Sequence, residues 1–170
     1  RELARMIKSN GINFLNLPDE DFDSLLGDST GAATIFGVTG GVMEAALRTA
    51  YETITGETLE KLDFHEVRGL QAVKEADVQI GGLTLRVAVA HGTANAKTLL
   101  DSIRSGEKTY DFIEVMGCPG GCINGGGQPI VSAEDRLSQD HMVYRARALY
   151  HADAAMAYRK SHENPGIKRI

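Results

Sequence analysis

The sequence predicts an α/β fold in which a parallel or mixed sheet is flanked by helices. Residues 78–89 alternate apolar and polar side chains around Gly81-Gly82, which is typical of a β-hairpin with a two-residue turn. Residues 95–103 have the apolar spacing of a helix, and the apolar run Phe112-Ile-Glu-Val-Met116 predicts a short buried strand. A strand, a helix and a strand in this order form a βαβ unit, whose two strands should be parallel.

The first part of the chain is predicted to contain a helix, a long loop and a short strand. Residues 1–10 place their apolar side chains on one helical face, and Gly11 follows where a helix often ends. Residues 12–30 are rich in acidic residues and turn formers, which indicates a solvated loop. Residues 33–36 are a strand candidate, and residues 37–41 predict a tight glycine loop.

Two longer helices are predicted from apolar stripes. One follows the glycine loop and ends at Gly56. The other follows a capping box, in which Ser132 precedes Asp135 by three residues; its stripe covers residues 142–150 and continues over residues 154–158 after a break. The stripe of the first helix consists of Val42, Met43, Ala46, Leu47, Ala50, Tyr51 and Ile54.

Composition limits the class of protein. At 170 residues, 42% of them hydrophobic, the chain is long enough to form one domain, residues 1–170. A net charge of -5 argues against a nucleic-acid partner, because nucleic-acid-binding surfaces are normally basic. No apolar run approaches the roughly 20 residues of a membrane span. Two cysteines are too few for a disulfide scaffold and favour a reducing compartment, so we expect a cytoplasmic protein.

Both cysteines, Cys118 and Cys122, lie in a glycine-rich loop directly after the strand predicted at 112–116. Open α/β sheets place their binding sites at the carboxyl ends of parallel strands. The Cys-x-x-x-Cys spacing alone leaves four interpretations open: a redox disulfide, half of a zinc site, ligands to an iron–sulfur cluster, or free thiols. No further ligands stand at zinc-finger spacing, and none of the five histidines stands at a ligand spacing to the cysteines.

The segment Glu114-Val-Met-Gly-Cys-Pro-Gly-Gly-Cys-Ile-Asn-Gly-Gly-Gly-Gln-Pro129 resembles the third signature of the iron-only (di-iron) hydrogenases, near the C-terminal end of their large subunit. Residues 35–48 resemble the stretch that packs over the di-iron unit in this family, and residues 158–165 resemble the segment after the last signature. The resemblance implies one lobe of the two-lobed catalytic domain, the part that holds the H-cluster. The family's earlier signatures, containing Thr-Ser-Cys-Cys-Pro and Met-Pro-Cys, do not occur in the chain, so we expect a C-terminal portion of a larger subunit.

The resemblance also implies roles for individual residues. Cys118 and Cys122 would bind irons of a four-iron four-sulfur cubane, and the sulfur of Cys122 would also bridge to the di-iron unit. Met116 would stand against the di-iron unit as an apolar wall, so Cys122 and Met116 are the candidate catalytic residues. The other expected cofactor-binding residues lie in two glycine loops: Phe36, Gly37, Gly40, Val42, Gly120 and Gly121. From the residues alone, the loop glycines could instead serve only close packing of a helix against the sheet.

The function implied is reversible oxidation of H2 to protons and electrons at the 4Fe-4S/di-iron cluster. The expected partners are the rest of the hydrogenase subunit and a ferredoxin or NAD(P)-linked electron-transfer subunit. The chain on its own is expected to be inactive, because two thiolates cannot satisfy a cubane that takes four. An alternative is a non-catalytic iron–sulfur assembly or sensor protein related to hydrogenases, although Met116 and the Gly-Gly-Gly-Gln-Pro end of the motif favour the enzyme.

Overall fold

The computed structural model describes residues 1–21, 23, 27–138 and 141–169. Within these ranges the chain forms six α-helices and one three-stranded sheet, with short 3₁₀ turns between them. In chain order the elements are α1 (Glu2–Ser9), α2 (Gly31–Ile35), α3 (Gly41–Thr55), β1 (Val73–Ile80), β2 (Leu83–His91), α4 (Thr93–Arg104), β3 (Phe112–Met116), α5 (Ala133–Ser138) and α6 (His141–Ala155).

The sheet is mixed and has the strand order β1-β2-β3. β1 and β2 are antiparallel and in register from Val73 opposite Ala90 to Ile80 opposite Leu83, which confirms the predicted hairpin and extends its first strand by five residues. β2 and β3 are parallel, with His91 beside Met116 at their carboxyl ends. The βαβ unit and the mixed sheet with flanking helices are therefore confirmed.

Helices cover both faces of the sheet. Alternate residues of β2 point to opposite sides, so this strand has apolar side chains that contact a helix on each face. On one face Met43 and Leu47 of α3 pack against Val87 and Val89. On the other face Leu99 of α4 packs against Ala88 and Ala90. A third cluster joins Val38, Ile123 and Ala146, so the glycine loop, the cysteine loop and α6 share a small core of their own.

Two local predictions were wrong. Residues 33–36 were predicted as a strand, but the helix α2 occupies Gly31–Ile35, and the Thr30 side chain caps it by accepting a hydrogen bond from the Ala33 N–H at 3.1 Å. Short apolar runs do not distinguish a strand from a buried helical turn. β3 was predicted as buried, but it lies at the edge of the sheet, where the side chain of Val115 is 49% exposed.

The largest feature that the apolar pattern did not indicate is a buried ion network on α3. Glu44, Arg48 and Asp153 have no exposed side-chain surface. The Arg48 guanidinium donates to both carboxylate oxygens of Asp153 on α6 at 2.8 Å, and to Glu44 at 2.7 Å. Arg159 donates to the same Asp153 carboxylate at 2.6 Å. Charges so deeply buried are tolerated because each one is paired and hydrogen-bonded.

The C-terminal segment is fastened to α3 by a second charged group. Lys160 and His162 lie at 2.6 Å from the two carboxylate oxygens of Glu52. The hydrogen bond from Lys160, together with those from the Leu59 N–H and His162, lowers the pKa of Glu52 to about 2. Glu52 therefore stays ionised at neutral pH and holds the segment in place.

No helix in the described part of the chain has the length and apolar character that crossing a membrane requires.

We expect Arg48→Met to lower the free energy of unfolding by about 3–5 kcal/mol, because Asp153 and Glu44 would each lose one of two cationic partners and keep only the partly exposed Arg159 and Arg68. Arg86→Met is the matched control, since Arg86 pairs with Asp77 at an exposed position and such pairs contribute less than about 1 kcal/mol. Urea unfolding of both variants measures the difference, and equal losses in the two would contradict the importance of the buried network.

Candidate cluster-binding site

The cysteine loop begins where β3 ends. The Gly92 N–H donates to the Met116 carbonyl at 2.8 Å, which completes the pairing of β2 with β3, and the chain then turns so that the Gly121 N–H donates to the Cys118 carbonyl at 3.0 Å. A 3₁₀ turn follows over Cys122–Asn124. Both thiols are exposed and are not joined to each other. The loop thus presents two accessible sulfur ligands from one tight turn.

Gly121 allows this loop to pack directly on the backbone of the glycine loop. It has φ 95° and ψ -162°, a conformation that is essentially restricted to glycine. A Cβ atom there would stand 2.8 Å from the Gly37 carbonyl oxygen, 2.9 Å from the Thr39 nitrogen and 2.9 Å from the Met116 sulfur. The structure therefore brings together three residues predicted for the site, Met116, Gly37 and Gly121.

Two hydrogen bonds fix the glycine loop and the cysteine loop relative to each other. The Thr39 N–H donates to the Gly120 carbonyl at 3.0 Å, and the Ile123 N–H donates to the Gly37 carbonyl at 3.0 Å. Gly120 is buried with φ 79°. Two segments that lie about 80 residues apart in sequence thus form one surface.

The other residues predicted for this surface have different positions. Gly40 is buried, a Cβ atom there would stand 2.0 Å from the Val67 carbonyl oxygen, and its own N–H already donates to Glu114. A glycine is thus needed at position 40 so that the loop can pack against Val67. Phe36 is 44% exposed at the end of α2, and Val42 is half-buried in the first turn of α3. That these two side chains face a cofactor stays a prediction.

Glu114 is a site residue that sequence reasoning did not assign. It projects from β3, is 5% exposed, and its two carboxylate oxygens accept from the Gly40 N–H at 2.6 Å and the Met43 N–H at 2.7 Å. These N–H groups begin α3, where free donors and the helix dipole favour a negative charge. A lone glutamate inside an apolar strand was the signal that could have identified it. Glu114 ties the strand that leads to the cysteines to the start of α3.

Arg145 of α6 holds the far side of the cysteine loop. Its guanidinium donates to the Ile123 carbonyl at 2.7 Å and to the Pro129 carbonyl at 3.0 Å. The Gln128 side chain donates to the Cys122 carbonyl at 3.1 Å. Hydrogen bonds within the protein therefore define the path of this loop on both sides of Cys122.

Lys74 lies beneath the glycine loop and was also not assigned from sequence. It is 8% exposed, and its ammonium donates to the Gly69 carbonyl at 2.8 Å and the Thr39 carbonyl at 3.1 Å, with the Thr39 hydroxyl at 3.5 Å. Burial lowers the pKa of Lys74 from 10.5 to about 8, against the opposing charge of Glu114.

The loop fits part of an iron–sulfur site. Two exposed thiols stand at the ends of a turn whose glycines let it pack closely on the protein beneath, which suits a cluster held by thiolates and backbone donors. Among the described residues, no three His, Cys, Asp or Glu side chains lie together as metal ligands. The donors that the chain offers here are thus two thiolates, and a cluster needs further ligands from elsewhere.

We expect Gly121→Ala to destabilise the chain, by about 1–3 kcal/mol from the backbone conformation alone, with the contacts to Gly37 and Thr39 adding to that. Gly126→Ala is the control, because a Cβ atom at Gly126 meets nothing within 4 Å. Thermal unfolding distinguishes the two. An unchanged midpoint in the Gly121 variant would show that the loops are not packed as described.

We expect the free energy of unfolding to rise between about pH 8 and pH 10.5, by up to about 3 kcal/mol from Lys74. In this window the unfolded chain keeps the lysine proton and the folded chain has lost it, so raising the pH favours the folded state. Urea unfolding at several pH values should show this rise in the wild type and in Lys97→Met, a control for the loss of one charge. A Lys74→Met variant with an undiminished rise would contradict the assignment.

Comparison with known proteins gives two family matches. A family model described as the iron only hydrogenase large subunit, C-terminal domain, matches residues 1–126. A model described as the iron hydrogenase small subunit matches residues 139–170. The first match covers well over half of the chain, and the second covers all of α6 and the C-terminal segment.

Individual relatives agree with the family match. The NADP-reducing hydrogenase subunit HndD of Solidesulfovibrio fructosivorans is 57% identical over 167 residues, which are 98% of this chain and 28% of that protein. Protein NAR1 of Arabidopsis thaliana is 29% identical over 174 residues, 99% of this chain and 36% of that protein. A solved structure of FeFe-hydrogenase HydA1 from Chlamydomonas reinhardtii matches with a TM-score of 0.70 and 40% identity, over 99% of this chain and 48% of that chain. The chain thus spans less than half the length of each of these proteins, and it belongs to the iron-only hydrogenase large-subunit family.

Proposed function

We propose that this chain supplies Cys118 and Cys122 as two of the cysteine ligands of the active-site cluster in an iron-only hydrogenase. The observation that carries the proposal is the turn from Cys118 to Cys122. It presents two exposed thiols and packs through Gly121 on the glycine loop, and the chain belongs to this family. The remaining cysteine ligands come from a part of the hydrogenase outside this chain.

In this proposal the chain's own residues bind the cluster and enclose it. Cys118 and Cys122 would bind the cluster as thiolates, and Cys122 would be the ligand that links the cubane to the di-iron unit. Met116, whose sulfur lies against Gly121, provides an apolar wall, and Phe36 and Val42 provide apolar surface on the glycine loop. Gly40 and Gly121 permit the close approach of backbone on which this enclosure depends, and Gly37 and Gly120 leave room for the side chains of Leu149 and Met142. When bound, the cluster supplies electron storage and the metal at which H2 and protons interconvert.

The rest of the hydrogenase subunit is the proposed partner of this chain, and it would cover apolar side chains that are exposed near the cysteine loop. Val115 on β3 and Ile130 after the cysteine loop are exposed close to the site in sequence, and β3 is a sheet edge. HndD is described as an NADP-reducing hydrogenase subunit, which supports an NAD(P)-linked electron partner, and a ferredoxin is the alternative that we propose. We propose a cytoplasmic location.

A second candidate function is a non-catalytic role in iron–sulfur assembly or sensing. A protein of Xenopus tropicalis described as the cytosolic Fe-S cluster assembly factor narfl favours it, with 28% identity over 152 residues, which are 88% of this chain and 31% of that protein. The 57% identity to HndD, the 40% identity to HydA1 and the presence of Met116 favour the enzyme. The two functions differ in one observable, since the assembly protein would hold a cluster without turning over hydrogen.

In a complete subunit that contains this chain, we expect Cys122→Ser to abolish hydrogen turnover, because the bridge to the di-iron unit is lost. Cys118→Ser should leave a cubane with a changed electron paramagnetic resonance (EPR) signal. The chain alone should evolve no hydrogen with reduced viologen. Gas chromatography, iron content and EPR spectra measure these outcomes.

Wild-type turnover in the Cys122 variant would contradict the assignment of the ligands. A complete wild-type subunit that binds a cluster but has no turnover, with its di-iron unit supplied, would favour the assembly or sensor function.

A further inference from the structure

Several lysines in the described part of the chain form ion pairs, and Lys74 differs from them. Lys97, Lys108 and Lys160 each pair with a carboxylate. The contacts of the Lys74 ammonium are instead uncharged oxygens of Gly69 and Thr39. A buried charge without a contacting counter-charge is costly, and such groups are concentrated at functional sites.

The position of Lys74 relates it to the cysteine loop. Its ammonium binds the Thr39 carbonyl, and the N–H of the same residue donates to Gly120, between the two cysteines. A Cβ atom on Gly40 would stand 3.4 Å from the Lys74 nitrogen. One residue of the glycine loop therefore separates the ammonium from the backbone of the Cys118-to-Cys122 turn.

The nearby negative charge, Glu114, is already compensated. Its two oxygens accept hydrogen bonds from Gly40 and Met43 at the N-terminus of α3, where the helix dipole is positive. The Lys74 ammonium is held by three uncharged oxygens, and its nearest negative charge is Glu114, which attracts it without contacting it. The depressed pKa of Lys74 agrees with this arrangement, because burial outweighs the attraction of Glu114.

We propose that, at neutral pH, Lys74 is a buried cation that raises the reduction potential of the cluster bound by Cys118 and Cys122. This inference rests on the proposed function. A cluster ligated by thiolates is an anion and gains one more negative charge when it accepts an electron from an external reductant, with no bond formed or broken. Net charge near a cluster is one of the factors that set its potential. A nearby cation stabilises the reduced form more than the oxidised form.

The competing role for Lys74 is to tie Thr39 to Gly69 by hydrogen bonds. Three substitutions separate the two roles. Lys74→Met removes the charge and the donors, Lys74→Gln removes the charge but keeps amide donors, and Lys74→Arg keeps both. Lys108→Met is the control for net charge, because Lys108 is exposed and precedes β3, at the opposite end of that strand from the cysteines.

The experiment is a dithionite titration of the complete, cluster-loaded subunit, followed by EPR at defined potentials. In Lys74→Met and Lys74→Gln we expect the ratio of reduced to oxidised cluster at a fixed potential to fall about tenfold, a shift of about 59 mV for one electron. Lys74→Arg and Lys108→Met should titrate like the wild type. Iron content, measured on each sample, confirms loading.

Unchanged potentials in both neutral variants would overturn the proposal. A shift in Lys74→Met but not in Lys74→Gln would also overturn it, because the hydrogen bonds and not the charge would then be responsible. Loss of the cluster from all three variants would show that Lys74 is needed for the structure of the loop, and this would also overturn the proposal. Failure of the proposed function would give different results, because the wild-type subunit would then hold no cluster or the cysteine variants would keep the wild-type cluster.

Discussion

The double hydrogen bond between Arg48 and Asp153 is the constraint on which the rest of the structure depends. It joins α3, in the part of the chain that matches the hydrogenase large subunit, to α6, in the part that matches the small subunit. Gly31 reinforces the junction, because a Cβ atom there would stand 2.0 Å from the Asp153 carboxylate, and its N–H donates to the Tyr158 carbonyl. α2, α3, α6 and the C-terminal segment thus meet around one buried guanidinium.

This junction also determines where the cysteines can lie. Arg48 fixes α3 along its length, and Glu114 fixes its beginning through the Gly40 and Met43 N–H groups. The glycine loop before α3 then presents the Gly37 carbonyl and the Thr39 N–H at defined positions, and the cysteine loop docks on them. Arg145 of α6 holds the other side of the same loop. A displacement of α6 from α3 would therefore separate the two supports of the cysteine loop.

The sequence predicted the parts of this arrangement that depend on local patterns. The hairpin around Gly81, the bounds of β3 and the glycine-rich turn between the cysteines follow from alternation and from residues that accept positive φ. The helix α2 was missed because a short apolar run has no period of its own. Arg48, Lys74 and Glu114 were missed for a different reason. Whether a charged side chain is buried depends on partners that are distant in sequence, and the spacing of apolar residues does not identify those partners.

The division between scaffold and ligand loop has an energetic basis. Fixing the backbone of one residue costs about 1–2 kcal/mol, and glycines lose the most freedom, so a glycine-rich loop is expensive to order. Here the contacts of Gly37, Thr39, Gln128 and Arg145 define the loop's path. In the proposed function, the affinity of the thiols for a cluster would then not be reduced by the full cost of ordering the loop. The same contacts place the loop next to the charge of Lys74, so the residues that order the site also set its electrostatic environment.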